Sequence, residues 1–188
     1  MKFAYLGEHA VRREPAYDIA SEFIGDIKEE LPFETSFIVE QNGVGRHLTP
    51  EINRPGRYDL YDVTGAKEYL HATASGKAIL AALTKGRVEE IIDQHGLPEI
   101  TEHTITDEQE LFEELEKVRQ REYAINDREN RPGMYTGKAV HRPNGTVLGA
   151  ISIGTQVSRI KKIEFEQRVP ALIQSHVESL EEQLESTL

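Results

Sequence analysis

Cysteine is absent from the 188-residue chain, so it can form no disulfide, thiolate metal site or cysteine nucleophile. Long apolar runs are missing too: none approaches the roughly 18 residues that a bilayer-spanning helix needs. The first residues, MKFAYLGEHAVRREPAY, carry no secretory pattern. Together these absences predict a soluble, cytoplasmic protein with no membrane partner. Positive charge is also scarce, with 22 basic against 33 acidic residues and a net charge of -11. Gripping DNA or an anionic membrane requires a cationic face, and Arg12-Arg13 and Lys161-Lys162 are too short to provide one. The acidity serves ordinary solubility or a saline cytoplasm, and EELEK and ESLEEQLES favour the second. The seven histidines show neither H-x-x-x-H nor carboxylate–His spacing, which leaves no metal site or cofactor to predict. No G-x-S-x-G nucleophile motif occurs, and no nucleophile–base pair stands out, so an enzyme is not expected. Asp127 and Glu129 sit in a charged loop and read as solvated.

What remains is a lean core, 38% hydrophobic, sufficient for one domain, or one with a helical appendage. From Pro15 to Leu31 the apolar residues Ile19, Phe23, Ile27 and Leu31 recur at four, the stripe of a helix that Pro32 closes. SFIVEQNGVGRHL reads as a hairpin turning at Asn42-Gly43, and Arg57–Val63 as a further strand. A buried helix is predicted over 73–83, a short one over 87–94 stopped by Gly96 and Pro98, and a charged one to about Glu122. Thr106 and Gln109 form a capping box for the charged helix, with Leu111, Leu115 and Val118 inward. Strands follow at 123–126, 134–141 and 147–154, the last two joined by RPNG with Gly145 left-handed. The tail from Ser158 is helical, with Val169, Leu172 or Ile173, His176 or Val177, Leu180 and Leu184 on one stripe; Pro170 should kink it or mark its start. Antiparallel strands with interspersed helices and no internal repeat predict an α+β fold.

The stretch HATASGKAILAAL (71–83) contains a Gly-Lys pair opening a helix, as phosphate-binding loops do. Against G-x-x-x-x-G-K-[ST], however, His71 replaces the first glycine and Ala78 the magnesium-binding hydroxyl. An NTPase is therefore not expected. The small residues Ala72, Ala74, Ser75 and Gly76 instead leave the helix's first N–H groups approachable by an anion. Thr73 or Ser75 is the expected cap. His71 reads as a capping or packing residue, and Lys77 as pointing to solvent or a neighbouring acid.

Four motifs in order, LHATASGKAILAAL, LPEITEHTITDEQELFEELEKVRQREYAINDRE, a glycine-containing loop and NGTVLGAISIGTQVSRI, resemble the effector-binding domain of IclR-type transcriptional regulators from about Tyr17 onward. The resemblance implies a GAF/profilin-like curved antiparallel sheet with helices packed on its faces. It implies that residues 1–14 are the end of an inter-domain linker helix and 15–188 the sensor. DNA would be reached only through a winged helix-turn-helix that this sequence does not contain. It further implies that the Ala74 and Ser75 amides hold the carboxylate of a small effector. Asn126 stands where the family often has Asp, Ser152 is the inward polar residue of the last strand, and Thr136 matches a frequent Cys. A chain one residue short between Gly133 and Gly145 leaves Tyr135 as an alternative to Thr136. Met134, Leu60 and Leu70 are candidate walls, and Gly154 replaces a frequent second Ser.

The expected function is allosteric sensing of a small carboxylate, sugar acid or aromatic acid by a homodimer or homotetramer. The alternative is an oligomerisation domain with a vestigial pocket.

Overall fold

The computed structural model describes residues 14–50, 58–61, 68–156 and 162–188; side chains at 29, 30, 49, 50 and 58–61 are not described. The suggested linker helix over 1–14 lies, apart from residue 14, outside the described residues; of the expected strand over 57–63, residues 58–61 are described and are a strand, and the remainder lies outside. The chain runs α1 (Pro15–Glu30), β1 (Glu34–Gln41), β2 (Val44–Pro50), β3 (Tyr58–Tyr61) and β4 (Glu68–Tyr69). A 3₁₀ turn (Leu70–Ala72), α2 (Ala74–Ala82), α3 (Lys85–His95) and α4 (Glu108–Arg121) follow. Strands β5 (Ala124–Asp127), β6 (Gly133–His141) and β7 (Val147–Gln156) then lead to α5 (Lys162–Thr187).

The strands form one antiparallel sheet in the order β3-β2-β1-β7-β6-β5, with β4 paired to β2. The β1–β2 hairpin turns where expected. Asn42 and Gly43 both have positive φ (54° and 80°), the backbone of a type I′ turn whose twist matches its strands. The RPNG turn also forms, with Gly145 at φ 80° and its N–H donating to Arg142 O.

Side chains alternate across each strand, and both faces are buried. One face packs under α1 and α5 through Phe37, Ile151, Ile153, Ile24, Phe165, Ile173 and Val177. The other packs under α2, α3 and α4 through Ile38, Ala150, Ile79, Ile91, Leu111 and Leu115. Each fully buried aliphatic side chain contributes roughly 1.5–3 kcal/mol relative to exposure.

Several sequence expectations shift. The buried stripe of α1 is Ala16, Ala20, Ile24 and Ile27, whereas Ile19, Phe23 and Leu31 flank it; alanines let the helix lie close to the sheet. The cap of α4 is Asp107 rather than Thr106, its carboxylate accepting from Glu110 N–H, because an acid gains from the helix dipole as well as the hydrogen bond. On α5 the alternatives resolve to Ile173 and Val177. Pro170 lies inside that helix, tolerated because tertiary packing on both sides of it outweighs one lost hydrogen bond. The two-residue β4 and the 3₁₀ turn were not anticipated.

Candidate functional site

The start of helix α2 lies close against β6 and against the turn before it, and two glycines allow it. A Cβ on Gly137 of β6 would fall 2.4 Å from the Ala74 carbonyl carbon, and one on Gly76 would fall 2.2 Å from Leu70 O. Thr73 caps the helix, its Oγ accepting from Gly76 N–H at 3.0 Å, and Lys77 N–H reaches Thr73 O at 2.9 Å. The Ala74 and Ser75 N–H groups, the next two of the four that a helix start leaves over, have no acceptor among the described residues. Both residues are buried, at 1% and 2% exposure.

These two residues line a recess of about 310 Å³ of empty space, counting its solvent-open mouth; the enclosed cavity is only about 20 Å³, enough for a water or two. Ala74, Ser75, Asn126 and Ser152 all line it, so four of the eight predicted positions are brought together. Leu70 is buried behind α2 in the helix-side core and is not among the lining residues. Leu60 pairs with Leu48 through the backbone, but its side chain lies outside the described residues.

Met134 and Thr136 are misplaced by the sequence reading. Tyr135 is paired with Asn126 and Gly154 and faces the recess, so strand alternation turns its two neighbours to the other face. There Met134 packs in the core under α1 and α5, and Thr136 is paired with Ile153 of that core. The open choice between Thr136 and Tyr135 is settled geometrically for Tyr135.

Tyr135 also explains Gly154. A Cβ at Gly154 would stand 1.9 Å from the tyrosine ring, and one at Gly133 2.4 Å from it. The ring therefore lies flat against the sheet, in the space a second serine would occupy. Its hydroxyl donates to Glu34 Oε2 at 2.9 Å, and the Arg131 guanidinium stands 4.6 Å from the ring centroid, a cation–π distance. Burial, opposed by Arg131 and assisted by Glu34, pushes the phenol up to about 12, so it stays a donor at neutral pH.

Asn126 works as a clamp. Its Nδ2 donates to Ala72 O at 2.5 Å and its Oδ1 accepts from Glu129 N–H at 3.2 Å, tying the turn before α2 to the β5–β6 loop. An Asp here could make only the second bond.

Behind α2 lies a buried ion pair. Lys77, only 1% exposed, donates to Glu129 Oε1 at 2.7 Å, with Glu114 Oε1 at 3.9 Å. The acid alternative for Lys77 holds and the solvent one does not. The expectation that Glu129 is solvated fails, since it is 8% exposed and its carbonyl accepts from Thr104 Oγ at 2.6 Å. Burial raises its pKa, with Lys77 pulling it back. Asp127 is half-buried, bonded to Arg128 and Lys162. His71 is buried, its Nε2 3.1 Å from Pro98 O, and burial lowers its pKa; the neutral ring donates there, as a packing residue.

Sequence reasoning missed Ser36, His47, Glu68, Asn130 and Arg131 at the recess and named Tyr135 only as an alternative. Ser36 and Ser152 are cross-strand partners, and His47 pairs with Glu68 at 2.7 Å. One signal was readable: a tyrosine two residues after Gly133, in a strand whose partner carries Gly154. No cluster of metal-binding side chains occurs among the described residues, and no helix there is long and apolar enough to cross a membrane.

The profile of one protein family, described as "Bacterial transcriptional regulator IclR C-terminal", matches residues 45–181. Among curated relatives, the probable HTH-type transcriptional regulator ArcR of Halobacterium salinarum is 35% identical over 118 residues, 62% of this chain and 45% of that protein. The p-hydroxybenzoate hydroxylase transcriptional activator of Acinetobacter baylyi is 28% identical, over 72% of this chain and 46% of its own. The chain thus spans about half the length of the curated relatives it matches. Among solved structures, Thermotoga maritima IclR superposes with TM-score 0.75 at 27% identity, covering 97% of this chain and 74% of that one. The inducer-binding domain of a PobR double mutant from Acinetobacter, in complex with 3-hydroxybenzoic acid, superposes with TM-score 0.72 at 21% identity, over 87% and 95%. The fold is therefore the α+β, curled antiparallel sheet with helices that these domains share.

Proposed function

The chain belongs to the IclR C-terminal family of bacterial transcriptional regulators, which are not enzymes, and from that premise we propose that it senses a small carboxylate effector in the recess at the start of α2. The observation that carries this reading is the pair of buried, acceptor-free N–H groups of Ala74 and Ser75 at that recess. A helix start with free amides and a favourable dipole stabilises an anion. Arg131 stands at the recess with a further positive charge, and Ser75 and Ser152 offer hydroxyls that orient a ligand. The effector is a small carboxylate, a sugar acid or an aromatic acid.

Binding regulates only through a difference in affinity between two states of the domain. The small enclosed cavity means the bound state requires Asn130 or Arg131 to move outward. That movement shifts the β5–β6 loop, which Asn126 and Glu129 tie to α2. In this proposal the loop carries the change to self-association as a homodimer or homotetramer. DNA is contacted, in the cytoplasm, through a separate N-terminal winged helix-turn-helix, which a linker helix ending at 1–14 joins to the sensor.

The narrow cavity also favours one other reading, an oligomerisation domain whose pocket is vestigial. Thermal-shift titration with short hydroxy acids, sugar acids and benzoates separates the two. A ligand at about a hundred times its dissociation constant adds roughly 2.7 kcal/mol of stability. No response across the whole panel leaves the oligomerisation reading standing.

A further inference from the structure

We propose that Tyr135 sets the chemical class of the effector: its ring occupies the place an aromatic acid would need, so the recess takes a short aliphatic hydroxy- or oxo-carboxylate. This rests on the reading of the recess as an acid site and narrows it.

The ring's position is fixed from three directions. Below it, the backbones at Gly133 and Gly154 carry no Cβ, and either Cβ would overlap the ring. At one side its hydroxyl is held by Glu34, and above it stands the Arg131 guanidinium. A ligand carboxylate at the Ala74 and Ser75 amides, directed along the sheet, meets this ring as a wall. A benzene ring attached to that carboxylate would have to displace it. A chain of a few carbons bearing a hydroxyl or carbonyl would not.

The polar groups left over point the same way. Ser75 and Ser152, 2% and 7% exposed, line the recess and have no hydrogen-bond partner among the described residues. Neither oxygen is among the buried polar atoms left without a partner, so both are reached from the recess itself, and Ser152, on β7, is independent of the free amides. They suit a ligand with its own hydroxyl or carbonyl oxygen near the carboxylate. Apart from Ala74 and the tyrosine ring, the lining is polar, which disfavours a flat apolar ligand face.

The test is calorimetric titration of the 188-residue chain and its variants with lactate, glycerate and 3-hydroxybenzoate. The wild type is expected to bind lactate or glycerate more tightly than 3-hydroxybenzoate by roughly tenfold or more, the usual scale of steric discrimination in a pocket. Tyr135→Ala is expected to reverse that order. Tyr135→Phe keeps the ring and should keep the wild-type order, while Tyr135→Leu provides a second shortened side chain should Tyr135→Ala fail to fold. Circular dichroism establishes folding in each case. If the wild type and a folded Tyr135→Ala or Tyr135→Leu rank the three acids alike, Tyr135 does not select and the proposal is overturned while the acid site stands. If neither wild type nor variant binds any of the acids, the acid-site reading falls and this proposal with it.

Discussion

Replacing Lys77 by Met keeps the aliphatic stem and removes the ammonium from a site only 1% exposed. Glu129 then loses the partner at 2.7 Å, and its Oε2 is already buried without a partner. Breaking a buried pair from one side costs roughly 3–5 kcal/mol, but a carboxylate can escape by taking up a proton. From its ordinary pKa of 4.5, that escape at about pH 7 costs about 3.4 kcal/mol, at 1.36 kcal/mol for each unit of pH. The electrostatic loss in Lys77→Met is therefore capped near that figure, and falls to about 1.4 kcal/mol at about pH 5.5. Urea unfolding followed by circular dichroism at the two pH values measures both. The double replacement Lys77→Met with Glu129→Leu should recover most of the loss, because no buried charge is left. A Lys77→Met penalty below about 0.5 kcal/mol at neutral pH, the scale of an exposed pair, would refute the reasoning. So would a penalty that does not change with pH.

Thr73→Ala removes the oxygen that caps α2 and should cost about 1 kcal/mol, with Thr73→Ser restoring most of it in the same denaturation assay. Gly76→Ala raises helix propensity by about 1 kcal/mol, yet it should destabilise the fold, since its Cβ meets Leu70 backbone 2.2 Å away; a raised melting temperature would contradict the packing described. Burial holds the pKa of His71 below its ordinary 6.5, with the nearby Lys77 lowering it further against the Pro98 carbonyl. A depressed folded-state pKa means the unfolded chain takes up the proton first, so this stability is whole above about pH 6.5 and is lost as pH falls through and below it. His71→Gln should flatten the fall of melting temperature just below that pH, and an unchanged slope would show that His71 is not responsible.

Elements with a strong local signal were legible in the sequence. The Asn42-Gly43 and RPNG turns, the buried stripe of α5 and the small-residue start of α2 each follow from chemistry within a few residues. The features that failed depend on partners distant in the chain. Which four residues of α1 are buried is decided by the sheet beneath it, and Glu129 is buried because Lys77, 52 residues away, meets it. The reach of the candidate site shows the same division. Ala74, Ser75, Asn126 and Ser152 sit in motifs whose order carried the family resemblance. Met134 and Thr136 were placed on the wrong face because a strand shifted by one residue exchanges its faces. Only the register of β6 with β7 fixes that choice, and Gly133 and Gly154 beside Tyr135 were the trace of it in the sequence. Ser36, His47 and Glu68 join the recess through pairing of β1, β2 and β4, which no local pattern announces.

The claim on which the functional account depends is that the Ala74 and Ser75 amides receive the ligand's carboxylate. Nitrogen-15 NMR of the chain during titration with lactate or glycerate reads those two N–H groups directly. Saturable shifts at Ala74 and Ser75 that share one dissociation constant with the calorimetric signal are expected. Saturable binding with both amides unmoved, and the shifts gathered elsewhere on the domain, would contradict the claim.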